Sequence, residues 1–236
     1  MAERSGRRPR YEAVLLDFYG TVVHEDDAVI ARICDTISHA AAIEITPAEV
    51  GRRWWQAFRA GMDRSHGASF RGQRSIELDS LRATIAGCGA ACDPVELSRA
   101  QFAHWERPPL FGDAVRFLGR VDLPLVVVSN IDRADIETAI AHHRLIVDRV
   151  ITSEDVRSYK PRPELFLAGL EAVGQPPHRV LHVGDSLSSD VAGANRLGIP
   201  VAWVNRTGRA GPATGRPTHE VADLDQLADL LTAPEG

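Results

Sequence analysis

Ala13-Val14-Leu15-Leu16-Asp17-Phe18-Tyr19-Gly20-Thr21 is the stretch whose reading decides the fold. Four apolar residues run unbroken into an aspartate, and Gly-Thr follows three residues on. A short apolar run of this kind reads as a strand buried on both faces, as in a parallel sheet. Asp17 then stands at the strand's carboxyl end, the edge where open α/β sheets hold their ligands. Gly20 permits a sharp turn and a close approach of backbone to whatever Asp17 meets. An ordinary strand ended by a turn aspartate would give the same letters, so the surrounding chain has to decide.

Outward from this stretch, the second half of the chain repeats the pattern. Apolar runs at residues 123–128, 147–151, 179–183 and 199–204 read as strands, and 220–222 as a last short one. Helical spacing fills the intervals at 113–119, 132–143, 162–173, 189–197 and 224–231. Strands alternating with helices predict a parallel sheet covered on both faces. Residues 25–107 differ, showing helical patterns and no strand. One helix spans 28–42, with Val29, Ile30, Ile33 and Ile37 on one face. Thr46-Pro47-Ala48-Glu49 starts a second, with Thr46 as N-cap and Glu49 expected to complete a capping box. Others cover 73–86 and, after Asp93-Pro94, 94–105. The expected organisation is a polar, frayed tail at 1–10, an α/β core at 11–24 and 108–236, and a helical cap at 25–107.

Composition narrows the function classes. The chain has 236 residues, 44% hydrophobic and 25% charged, with a net charge of −5. Nothing basic points to nucleic acid. No run approaches the roughly 18 apolar residues of a membrane span. Cys34, Cys88 and Cys92 lack zinc-type spacing and read as packing thiols of a reducing compartment. The arginine-rich start has no apolar signal core. The expectation is a cytoplasmic enzyme, monomer or homodimer, acting on a small molecule.

The polar strand ends suggest which chemistry. Asp17, Ser129-Asn130 and Gly184-Asp185, with Asp190 following, close three of the strands, and Lys160-Pro161 comes from the loop after another. Parallel strands share a direction, so these groups meet on one rim. Carboxylates gathered in one place repel unless a cation sits among them. A hard divalent ion such as magnesium, taking carboxylates, waters and a phosphate oxygen, answers that need. Asp17 is then placed to attack phosphorus and form an aspartyl phosphate. Lys160, Thr21, Ser129, Asn130 and loop amides, Gly20 among them, are expected on the phosphate oxygens.

At Asp17-x-Tyr19-Gly20-Thr21, Ser129-Asn130, Lys160-Pro161 and Gly184-Asp185 with Asp190, the chain resembles the haloacid dehalogenase superfamily. The resemblance implies a Rossmann-like core, a nucleophilic Asp17 and a helical cap inserted after the first strand. In the phosphatase branch it further implies magnesium on Asp17, the Tyr19 carbonyl and Asp185, with Asp190 ligating the metal or holding its water. Tyr19 departs from that branch, which carries there an aspartate serving as general acid and base. A phenol, with pKa near 10, donates a proton but is a poor base at pH 7. The tyrosine is instead similar to the 2-haloacid dehalogenase branch, where aspartate attacks carbon and no metal is needed. That branch usually has Ser and Asn where Asp185 and Leu187 stand, and Tyr where Phe166 stands. The favoured expectation is magnesium-dependent hydrolysis of a small phosphorylated metabolite. The alternatives are a metal-independent dehalogenase and a phosphoryl-binding relative with little turnover.

The cap is expected to choose the substrate. Arg64, His66, Arg71 and Arg74 fall in or beside a glycine-bearing loop, and Arg71 is taken as a reader of a second substrate anion. Trp54, Trp55 and Phe58 fit either a pocket lining or the cap's own core. His182, inside a strand, reads as a core histidine.

Overall fold

The computed structural model describes residues 10–211 and 215–232, so nearly all of the expected N-terminal tail lies outside the described residues. Six strands form one parallel sheet: β1 (Ala13–Leu16), β2 (Leu125–Ser129), β3 (Arg149–Thr152), β4 (Val180–Gly184), β5 (Val201–Val204) and β6 (His219–Val221). Their order is β3-β2-β1-β4-β5-β6. β1 is central, with Leu16 opposite Val127 on one side and Val183 on the other. That register brings Asp17, Ser129 and Gly184 to the same rim.

β1, β2, β4 and β5 are buried along their whole length. Alternate residues feed opposite faces, as a period of two requires. Val14, Leu16, Val127, Leu181 and Val183 join Phe117 of α5 (Gly112–Arg120), Ile136 of α6 (Arg133–His143) and Leu227 of α10 (Leu224–Thr232). Ala13, Leu15, Val126, Val128 and Val180 pack on the other side with Leu165 of α8 (Pro163–Val173). Each such leucine or valine contributes about 1.5–3 kcal/mol by leaving water.

Between the first two strands come α1 (Asp27–Ala40), α2 (Pro47–Arg64), α3 (Gln73–Cys88) and α4 (Pro94–Glu106), with no strand in residues 25–107. They enclose a second apolar core built from Val29, Ile33, Ile37, Val50, Trp54, Leu81 and Ile85, with Cys34 and Cys88 packed in it. The expected capping box at Thr46 is only half made. Thr46 accepts the Glu49 amide at 3.2 Å. The Glu49 carboxylate instead reaches Arg52 and Arg53, cations three and four residues on along the same exposed face. Two short elements were not anticipated: α7 (Ser153–Val156), opened by a complete Thr152–Asp155 capping box, and a π-helical turn at Leu187–Val191. The π turn runs into α9 (Ala192–Arg196) and carries Asp190.

Candidate active site

The chain leaves β1 at Asp17 and turns at Gly20, whose φ of +82° suits glycine. A Cβ there would lie 2.7 Å from Asp185 Oδ1. One on Gly184 would lie 2.3 Å from Asp190 Cγ. The two glycines thus let two carboxylates press against backbone.

Lys160 sits at the centre of the rim and is buried. Its ammonium donates to Asp17 Oδ1 at 2.6 Å, Asp190 Oδ1 at 2.7 Å and the Val128 carbonyl at 3.1 Å. Those three acceptors use all three of its protons. Asn130 fixes the lysine backbone: its Oδ1 accepts the Lys160 amide at 2.7 Å and its Nδ2 donates to the Lys160 carbonyl at 3.1 Å. Asn130 was expected on phosphate, but both its amide atoms are engaged here. Thr21, fully buried, donates to Asp17 Oδ2 at 3.1 Å, so its hydroxyl too serves the aspartate directly. The Ser129 hydroxyl lines the cavity and is uncommitted among the described residues.

Asp190 holds the lysine from behind. Its Oδ1 also faces His182 Nε2 at 2.9 Å, and its Oδ2 accepts the Ser186 amide at 3.0 Å. His182 is therefore more than a core residue, since it is Asp190's second side-chain partner. Burial acts first on both aspartates of this group and raises them. On Asp190 the ammonium and His182 outweigh it and hold the carboxyl well below the usual range. Asp17 is left above its usual range, with Asp190's charge adding to the push. Lys160 is held above its usual range by its two carboxylates despite burial.

Asp185 lacks such a partner. Its backbone carbonyl accepts from Trp203 Nε1 at 2.8 Å and Arg209 Nη2 at 2.7 Å, but that guanidinium stays 3.7 Å from its carboxylate. Burial and the charges of Asp17 and Asp190 push its carboxyl up to about 7. One oxygen from each of Asp17, Asp185 and Asp190 lies within 4.8 Å of the others. Asp190 spends both oxygens on Lys160, His182 and Ser186, which leaves Asp17 and Asp185 as hard oxygen donors of the kind that magnesium takes.

Tyr19 does not point its phenol at Asp17. It donates to the Trp105 carbonyl at 2.6 Å, joining the rim to α4. Burial and neighbouring acids hold the phenol well above its usual pKa. Another carboxyl faces the cavity instead. Glu25 lines it and has no hydrogen bond or ion pair among the described residues. Burial, then the charges of Asp185, Asp26 and Asp17, push Glu25 well above the usual carboxylate range. The Glu25 side chain is exposed, which softens the first cause and leaves the second.

Arg71 is not brought to the site. Its guanidinium reaches Ser75 and Asp79 on the surface, and its carbonyl accepts from Tyr159 at 2.8 Å. Arg74 is tied to Asp135 and Glu106. The loop is drawn onto the core by Tyr159 and Arg157, and its cations face away from the cavity. Glu25, Trp203 and Arg209 are the groups that sequence reasoning missed. Glu25 stands at the first position of the segment expected as cap, Trp203 lies within β5, recognised only as an apolar run, and Arg209 lies in the loop that follows it.

A family model for haloacid dehalogenase-like hydrolases matches residues 11–198. An (S)-2-haloacid dehalogenase of Pseudomonas putida is 33% identical over 169 residues, covering 70% of this chain and 74% of that protein. A phosphoserine phosphatase of Thermus thermophilus is 34% identical over 146 residues, covering 58% of this chain and 57% of that protein. In fold, the L-2-haloacid dehalogenase of Xanthobacter autotrophicus, solved with chloropropionic acid covalently bound, superposes with a TM-score of 0.72 at 22% identity, covering 95% and 100% of the two chains. The motifs on the rim, the sheet order and the family match agree, and the chain belongs to the haloacid dehalogenase-like hydrolases.

Proposed function

We propose that this hydrolase cleaves phosphate monoesters through Asp17. The observation that carries the reading is Asp185, a carboxylate clustered with Asp17 whose one cation among the described residues, Arg209, stays 3.7 Å away. Asp17 and Asp185, with the Tyr19 carbonyl that the family resemblance implies, would hold magnesium, which would neutralise charge on the transferring phosphoryl group. Asp190 has both oxygens engaged, so its part is to hold Lys160, and through it Asp17. Asp17 attacks phosphorus, the bond to the leaving oxygen breaks, and an aspartyl phosphate forms. Glu25 gives its proton to the leaving oxygen and takes one back from the water that frees phosphate. Ser129 donates to a phosphoryl oxygen. Tyr19 stands aside from the proton transfers.

A second reading, carbon–halogen cleavage of a 2-haloacid by Asp17, is favoured by the names of the relatives with broad coverage and by the tyrosine at position 19. Against it stands the charge of the cavity. Among the described residues its lining holds six carboxyl groups, Asp17, Glu25, Asp26, Glu77, Asp185 and Asp190, of which Glu25 and Glu77 are pushed towards the neutral form, and a single base, Lys160. A haloacid carboxylate would find no free cation there.

Two assays run together separate the readings. Phosphate release from a monoester panel is expected with magnesium and lost on chelation. Halide release from 2-chloropropionate, undiminished by chelation and without ester hydrolysis, would reverse the assignment.

A further inference from the structure

We propose that the cavity selects phosphate monoesters whose alcohol is aromatic and carries no second anionic group. This rests on the phosphatase reading above and goes on to name the substrate class. The cavity encloses about 260 Å³ between rim and cap. Its cap side is lined by Ile30, Trp54, Trp55, Phe58, Met62 and Trp105. Two of these are fixed by hydrogen bonds. Trp54 donates to Ser80 at 3.1 Å and Trp105 to Asp26 at 2.9 Å. Trp55 is different. It is 56% exposed, one turn of chain from Phe58, and their rings lie nearly parallel with centroids 6.0 Å apart. An open pair of rings over a pocket is a stacking surface for a third ring.

Charge supplies the second half of the selection. Lys160 is the lining's single base among the described residues, and its three protons are already placed on Asp17, Asp190 and a carbonyl. Arg71 and Arg74 pair with surface and core acids outside the cavity. Asp26, a buried carboxylate that accepts from Trp105, also lines the pocket. A carboxylate or second phosphate on the alcohol would lose its water there, gain no free cation among the described residues and face that acid. A neutral ring meets neither cost.

A matched series tests this with magnesium present: benzyl phosphate, 4-carboxybenzyl phosphate and acetyl phosphate. Acetyl phosphate has a good leaving group and no ring, so it reports the phosphoryl transfer by itself. The expected result is hydrolysis of acetyl phosphate, and a kcat/KM for benzyl phosphate at least tenfold above that for its carboxylated analogue. Equal or reversed values, or no turnover of either benzyl ester while acetyl phosphate is cleaved, would overturn the selection and leave the phosphatase reading standing. No turnover of acetyl phosphate would overturn both. In Trp55→Arg the exposed ring gives way to a cation, and the preference is expected to shrink or reverse through KM. A merely structural role for Trp55 would lower both esters alike.

Discussion

On the phosphatase reading proposed above, Glu25 does what an aspartate at position 19 does in the phosphatase branch, and Tyr19 takes no part in it. The phenol is a strut whose proton is held by the Trp105 carbonyl. The carboxyl faces the cavity, and its acidic neighbours favour its protonated form. Tyr19→Phe is therefore expected to lower stability by about 1 kcal/mol, the worth of one hydrogen bond, while kcat moves by less than about threefold. Urea unfolding and steady-state rates on one preparation check the pair. Glu25→Gln is expected to do the reverse. It should slow formation of the aspartyl phosphate from benzyl phosphate by about 10²–10³, read as a single-turnover rate, yet leave that step for acetyl phosphate within a few-fold, because a good leaving group needs no proton. Equal losses on both esters would deny Glu25 the acid role. The sequence announced the vacancy at position 19, because a phenol stands where a carboxylate was expected. It could not announce what fills it. Tyr19 meets Trp105 across 86 positions, and Glu25 meets Asp185 across 160, so neither neighbour is written near the other.

At the scale of elements, α3 and α4 press Glu77 into the cap, 4% exposed, close to Asp26 and Gln101. Burial, with the charge of Asp26 added, pushes this carboxyl up to about 8. Gln101 Oε1 is buried without a donor, and a protonated Glu77 beside it is one that it can accept from. The folded state thus binds a proton that the unfolded chain releases at its ordinary value near 4.5. The resulting stability is fully present below pH 4.5 and is lost as pH rises through about 8. Its size is on the order of 3 kcal/mol between those limits. Glu77→Gln keeps the shape and removes the titration. The variant is expected to melt within a few degrees of the parent at pH 5 and roughly 5–10 °C above it at pH 9. Parallel melting curves at the two pH values would refute this. The strands and long helices around this site were legible because unbroken apolar runs and a 3.6-residue spacing each have one reading at that length. α7 and the π turn were not, since four or five residues are too few to show a period. The π turn matters most, because it aims Asp190 back at Lys160.

In the whole molecule, the cap is tied to the sheet by polar contacts at its edge. Asp132 at the head of α6 accepts the amides of Gln73 and Arg74 at 2.6 and 3.0 Å, capping α3 from the neighbouring layer. Arg74 then grips Asp135 with two nitrogens and reaches Glu106 at 2.7 Å. On the other flank, Arg157 and Tyr159 hold the loop after α2 by its carbonyls. These ties turn the cationic loop outward and set the aromatic wall over Asp17, so cavity and latch are one arrangement. Asp135 is 1% exposed while Arg74 is 37% exposed, so water screens part of the attraction. Arg74→Ala leaves a buried charge with its guanidinium gone, at a cost of about 2 kcal/mol, below the 3–5 of a fully buried pair. Asp135→Asn added to it removes that stranded charge. The double variant should then be no less stable than Arg74→Ala alone, a non-additivity that a double-mutant cycle in urea reads directly. The functional consequence follows from where the latch lies. A cap released along α3 opens the wall formed by Trp55 and Phe58, while the rim of Asp17, Lys160 and Asp190 belongs to the sheet and keeps its geometry. Arg74→Ala is thus expected to raise KM for benzyl phosphate several-fold and to leave kcat for acetyl phosphate nearly unchanged. A fall in kcat for acetyl phosphate as large as the rise in KM would mean that the rim itself depends on the latch, and the division of labour between sheet and cap would be wrong.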